Sequence, residues 1–170
     1  MKRAALVLLV AAALIYSVLW LPPYFNRLVV ESWYVVFVAM TGLVGTSLVW
    51  RLRSPELGVA TGLGLVGGLI SLFWPALEVT FQHIDGGGMQ LYENVIYVAS
   101  VVFSCCALVG GVVTLTRPAL AFRLLAAAVV GTIIVGLAAP SAPPSARVEL
   151  TLGLPLLVVA WAASWLANRE

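Results

Sequence analysis

Six apolar stretches of roughly 16–23 residues follow one another along this chain, and each is long enough to cross a ~30 Å hydrocarbon core as a helix. Short segments holding the charge separate them. If the connections are assigned alternately to two sides, one side receives Lys2, Arg3, Arg51, Arg53, Arg117, Arg123 and Arg169. The other receives only Arg27 and Arg147. Basic residues accumulate on the cytoplasmic side of membrane proteins. The expected fold is therefore an all-α, polytopic membrane protein, a bundle of six transmembrane helices with both termini cytoplasmic, located in a cell membrane.

Composition leads the same way. Hydrophobic residues make up 62% of the 170 and charged residues 9%, against about 25% charged in a soluble domain. A water-soluble fold of this length has no means of hiding that much apolar surface, so lipid is the expected solvent and the bilayer the first partner. The net charge of +2 follows from the inner-loop excess. There is no basic run and no interleaved aromatic motif, so a nucleic-acid partner is not expected. The Ala/Val/Leu/Gly bias suggests a prokaryotic source.

The spans are expected at about 4–21, 28–50, 57–77, 94–116, 119–139 and 150–167, forming one integral membrane domain over 1–170. Pro22-Pro23 closes the first, since proline has no N–H to continue a helix. Met1-Lys2-Arg3 before an apolar run resembles a secretory signal, but no small-x-small site follows, and an uncleaved first span is expected. Arg51-Leu52-Arg53-Ser54-Pro55-Glu56 and Arg117-Pro118 read as short inner turns. The third span is expected to end near Trp74-Pro75, ahead of a long outer loop at 78–93. The segment 140–146 is proline-rich and reads as an irregular outer loop. Trp20, Tyr24, Trp33, Tyr34, Trp74 and Tyr92 fall near outer ends, and Trp50 and Trp165 near inner ends, as headgroup-level belts require.

Small residues recur four apart. In the third span they are Gly58 with Gly62 and Gly64 with Gly68, the expected helix-packing positions. In the fourth they are Ser100 with Ser104 and Cys106 with Gly110; in the fifth, Ala127 with Gly131. Such pairs form a groove that admits another backbone. Contact within one bundle satisfies them; a sharper reading sets the third span against a second copy or another membrane subunit. Adjacent Cys105 and Cys106 lie mid-span without CxxC spacing or partner histidines and read as packing residues. Gly62-x-Gly64-x-x-Gly67 matches a dinucleotide fingerprint in letters only, because no strand precedes it.

Candidate chemistry is sparse. Between Glu31 and Arg123 in depth the spans carry no charge, which argues against an ion-coupled pump. A passive pathway for an uncharged or lipid-like substrate would instead be lined by Thr41, Thr46, Ser47, Thr61, Ser71, Ser104 and Thr132. The alternative for these hydroxyls is a bond to their own helix or a neighbour. His83 is the one histidine. With Glu78, Asp85 and Glu93 in or beside the outer loop, it forms the candidate metal set, and Gly86-Gly87-Gly88 lets the loop fold over it. The competing reading is a solvated loop. No serine sits in a Gly-x-Ser-x-Gly turn, so a serine hydrolase is not expected. No cofactor is expected.

Three functions follow, in order: a non-enzymatic multi-pass membrane protein, free-standing or a subunit of a membrane complex; a small transporter or channel component; an outer-surface metal-binding protein or enzyme using the His83 loop.

Overall fold

The computed structural model describes residues 32–84, 91–138 and 152–169, with side chains described at 36–72, 95–138 and 152–169. The expected first span, 4–21, and the proline-rich loop at 140–146 lie outside the described residues.

All described secondary structure is helical: α1 (Ser32–Leu52), α2 (Pro55–Ile84), α3 (Leu91–Val113), α4 (Pro118–Ala138) and α5 (Leu154–Ala167). Three of these carry stretches long and apolar enough to cross a membrane: Pro55–Leu72, Val95–Val113 and Pro118–Ala138. Val36–Leu52 and Leu154–Ala167 are apolar but shorter.

The turns are fixed by local chemistry. Ser54 caps α2: its Oγ accepts from the Leu57 N–H at 3.2 Å and its carbonyl from Gly58 at 3.0 Å. Pro55 follows at the first helical position, where its missing N–H costs nothing. Arg117 opens α4 in the same way, its carbonyl accepting from Leu120 and Ala121, both at 3.0 Å, with Pro118 next. At the far end of α5, Asn168 caps the helix and ties it to α4. Its Nδ2 donates to the Ser164 carbonyl at 2.8 Å and to the Pro118 carbonyl at 3.4 Å.

Helix α2 is longer than its apolar stretch. It passes through Trp74-Pro75, the expected stop, and continues to Ile84, so much of the segment expected as loop is helical. At 1.5 Å per residue its 30 residues span about 45 Å, close to a bilayer with its headgroups. A proline is tolerated in such a helix because only one helical bond is lost and neighbouring groups take it up.

The four helices α2, α3, α4 and α5 close into a ring, each packed against the next and α5 back against α2; α1 lies outside the ring on α2. Neighbours run antiparallel. On the α1–α2 seam, Gly42 lies against Val66 and Gly58 against Trp50; on the α2–α3 seam, Thr61 meets Thr114 and Gly68 meets Leu108. The core of the ring is small and aliphatic. Ala60, Leu125, Ala160 and Ala163 form one cluster, and Ala107, Ala128, Val129 and Leu157 another.

Candidate functional site

The ring presents two distinct regions: a basic end and a buried set of hydroxyls. The antiparallel order puts the end of α1, the start of α2, the end of α3, the start of α4 and the end of α5 together. Arg51, Arg53, Arg117, Arg123 and Arg169 all belong to that end, and all are exposed. Glu56, the one acidic residue among the described side chains, is buried there at 6% exposure. It sits in the first turn of α2, where the helix dipole favours a carboxylate. Glu56 ends the expected inner turn, yet Ser54 and Pro55 start the helix early enough to draw it into the bundle. The Arg169 guanidinium lies 3.6 Å from the centre of the Trp165 ring, a cation–π contact. One turn deeper, Trp161 stacks on Phe122 across the α4–α5 seam with centroids 6.0 Å apart.

Among the described residues, the buried hydroxyls lie on the ring helices or, for Thr114, one residue past the end of α3. Thr61 and Thr114 are hydrogen-bonded across the α2–α3 seam. Thr114 Oγ1 donates to the Gly111 carbonyl at 2.6 Å, so its single proton is committed and Thr61 must be the donor to it. Thr114, near the inner end of the expected fourth span, is a buried hydroxyl outside the expected pathway set. Ser71 is 2% exposed and its Oγ has no hydrogen-bond partner. Pro75 also denies the Ser71 carbonyl its usual helical donor. Opposite Ser71, at the N-cap of α5, stands Gly153, where an added methyl group would strike the Ser71 Oγ. Ser164 Oγ and Trp161 Nε1 are likewise buried without partners.

The expected pathway hydroxyls divide. Ser71, Ser104 and Thr132 are buried and share one level of the ring. Gly68 lies against Ala107 and Leu108, and Gly131 against Phe103; three residues on from Gly68 and three back from Ala107 bring Ser71 opposite Ser104. The other four go elsewhere: Thr61 to Thr114, Thr46 against Gly62 on the α1–α2 seam, Ser47 to the exposed face of α1, and Thr41 to a half-buried position on α1.

The packing glycines face three helices. Methyl groups placed on Gly58 would stand 3.0 Å from the Thr46 carbonyl and the Trp50 amide, and one on Gly62 would strike Thr46, both on α1. One on Gly64 would stand 3.1 Å from Leu125 and 3.5 Å from Gly111 Cα, and one on Gly68 3.0 Å from Leu108. These close approaches are taken up inside the chain. Cys105 is exposed and Cys106 half-buried, both free, and Cys106 packs beside the Ala107 cluster.

Of the candidate metal set, Glu78 and His83 fall on the backbone of α2 and Glu93 on the first turn of α3. Asp85 lies outside the described residues, as do the side chains of the other three. Among the described residues, no three His, Cys, Asp or Glu come together in a way that would hold a metal ion. The chain matches no family model, no curated protein and no solved structure.

Proposed function

We propose that this chain is a six-span integral protein of a prokaryotic cell membrane, with the arginine-bearing end and both termini in the cytoplasm, acting without catalysis as a subunit that docks through α1. The observation that carries this is the position of α1. Among the described helices its main packing partner is α2, outside a ring that closes without it, and it leaves Phe37, Met40, Leu43, Val44 and Leu48 each more than half exposed. An apolar helix face of this kind is matched either by lipid or by another apolar helix. A partner seated on the glycine faces of α2 would compete with α1, α3 and α4, so α1 is the better contact.

The test is native mass spectrometry after gentle extraction. The subunit reading expects an added protein mass or a multiple of the 18.0 kDa chain, lost when Val44→Asn is placed on the exposed face. A bare monomer overturns it. Orientation is tested in a chain with Cys105 and Cys106 replaced: Ser54→Cys should label from inside and Ser141→Cys from outside.

A second reading, passage of a small uncharged solute, is favoured by the level shared by Ser71, Ser104 and Thr132. It expects proteoliposomes to re-swell faster in urea or glycerol than empty vesicles, with Ser71→Val abolishing the difference. Equal swelling removes it.

A further inference from the structure

We propose that the α4–α5 seam at the basic end binds the headgroup of an anionic phospholipid. The proposal rests on the membrane reading above and adds a specific partner and place. Three exposed arginines, Arg117, Arg123 and Arg169, belong to this end of the two helices. The bond from Asn168 Nδ2 to the Pro118 carbonyl, 3.4 Å long, joins the end of α5 to the start of α4, and Arg117 and Arg169 flank it in sequence on either side. Arg123 lies on the exposed face of α4 just over one turn further in, within snorkelling reach of the same level.

No described side chain neutralises this group. Glu56 is the one described acid and it is buried; Glu170, outside the described residues, offers one carboxylate against three guanidiniums. Arg169 is already partly oriented, because its guanidinium rests on the Trp165 ring at 3.6 Å. Arginine presents a planar fork of donors suited to two phosphate oxygens at once, so a phosphodiester is the matching acceptor.

The surroundings select a lipid over a free phosphate. Around and beyond Arg123 the exposed face of α4 is apolar: Leu120 is 39% exposed, Val130 54%, Ile134 56% and Leu137 77%. Acyl chains lying along this face set their headgroup beside Arg117, Arg123 and Arg169. Trp165, 40% exposed, sits at the depth where an amphipathic ring meets the glycerol region. Two juxtamembrane arginines at an anionic surface correspond to roughly a tenfold or greater preference.

The test uses the full chain in nanodiscs of equal phosphatidylglycerol and phosphatidylcholine, with retained lipid read by native mass spectrometry. The expected result is retention of phosphatidylglycerol over phosphatidylcholine by about tenfold. This preference should vanish in R117Q/R169Q and persist in R51Q/R53Q, which removes the same charge from the α1–α2 turn. If R117Q/R169Q does not fold, R123Q alone should still reduce the preference severalfold. Equal retention of both lipids by the unaltered chain, or equal loss in the two double variants, overturns the proposal. Release of the lipid by glycerol 3-phosphate alone also overturns it, because the seam would then read a phosphate and not a lipid. A chain that inserts into nanodiscs without lipid preference fails only here; one that remains in solution without detergent fails the membrane reading itself.

Discussion

Thr61 and Thr114 share a hydrogen bond whose direction is fixed, because Thr114 gives its own proton to the Gly111 carbonyl 2.6 Å away. The two ends of the bond are therefore unequal. Thr61→Val removes a donor and leaves Thr114 still bonded to Gly111. Thr114→Val removes the acceptor for Thr61 and the donor for Gly111 together. Interhelical hydroxyl bonds in membranes are worth about 0.6–2 kcal/mol. Thr114→Val is expected to cost about 1–2 kcal/mol and Thr61→Val less than about 1 kcal/mol. SDS-titrated unfolding in mixed micelles measures both; equal costs, or the reverse order, would remove the assigned direction.

Ser71 and Gly153 form a second unequal pair. The Ser71 hydroxyl is buried without a partner, and a partnerless buried hydroxyl costs about 1–3 kcal/mol. Ser71→Ala is therefore expected to be neutral or to stabilise the chain. Gly153→Ala drives a methyl group onto that hydroxyl, with the Ser71 Cβ and the Gly67 carbonyl both 3.6 Å away, at ordinary contact. It is expected to cost about 1–3 kcal/mol alone and little in the Ser71→Ala background. A double-mutant cycle reads the coupling, expected to exceed about 1 kcal/mol. Additive effects would show that the two residues do not meet.

Helices and turns were legible where local chemistry decides them. Ser54-Pro55 and Arg117-Pro118 announce helix starts on their own, and the apolar runs between them are helical because nothing in lipid competes for their backbone groups. Pro75 misled, because proline disfavours a helix interior without forbidding it, and α2 runs through it to Ile84. Glu56 was placed in a turn by its charge, yet one residue after Pro55 it is already inside α2 and buried at 6% exposure. The pairing of Thr61 with Thr114 and the approach of Ser71 to Gly153 depend on which helices are neighbours and in what register. Small residues four apart advertise that some helix approaches, but not which one: Gly58 and Gly62 receive α1, while Gly68, six residues on from Gly62, receives α3.

The α3–α4 seam is tighter than its glycine spacing suggests. A methyl group on Gly131 would land in the Phe103 ring, whereas one on Gly110 would stand 3.2 Å from Leu125 Cγ and 3.3 Å from Leu124 Cβ, needing a shift of only a few tenths of an ångström. Gly131→Ala is expected to cost about 2–3 kcal/mol and Gly110→Ala about 1 kcal/mol or less. Phe103→Leu should recover most of the loss at Gly131 and none at Gly110. The same unfolding titration checks this, and an unrescued Gly131→Ala would mean that helix α4 is strained by something other than the ring.

Because α1 packs outside the closed ring, it is the element that can be loosened without opening the core. Gly62→Leu pushes a side chain into Thr46 on α1, and neither residue belongs to the aliphatic clusters at Ala60 and Ala107. The expected outcome is selective. Trypsin should cut at Arg51 and Arg53 about tenfold faster in detergent, since opening by about 1.4 kcal/mol raises the cleavable population by that factor when reclosing outpaces cleavage. The unfolding midpoint of the rest of the bundle should move by less than about 0.5 kcal/mol, as expected for a site that shares no partners with it. A midpoint that falls as far as it does for Gly131→Ala would make α1 part of the core and remove it as the docking helix. Faster cleavage with the midpoint unchanged would leave α1 as a separable face, which is what a subunit that binds through it needs.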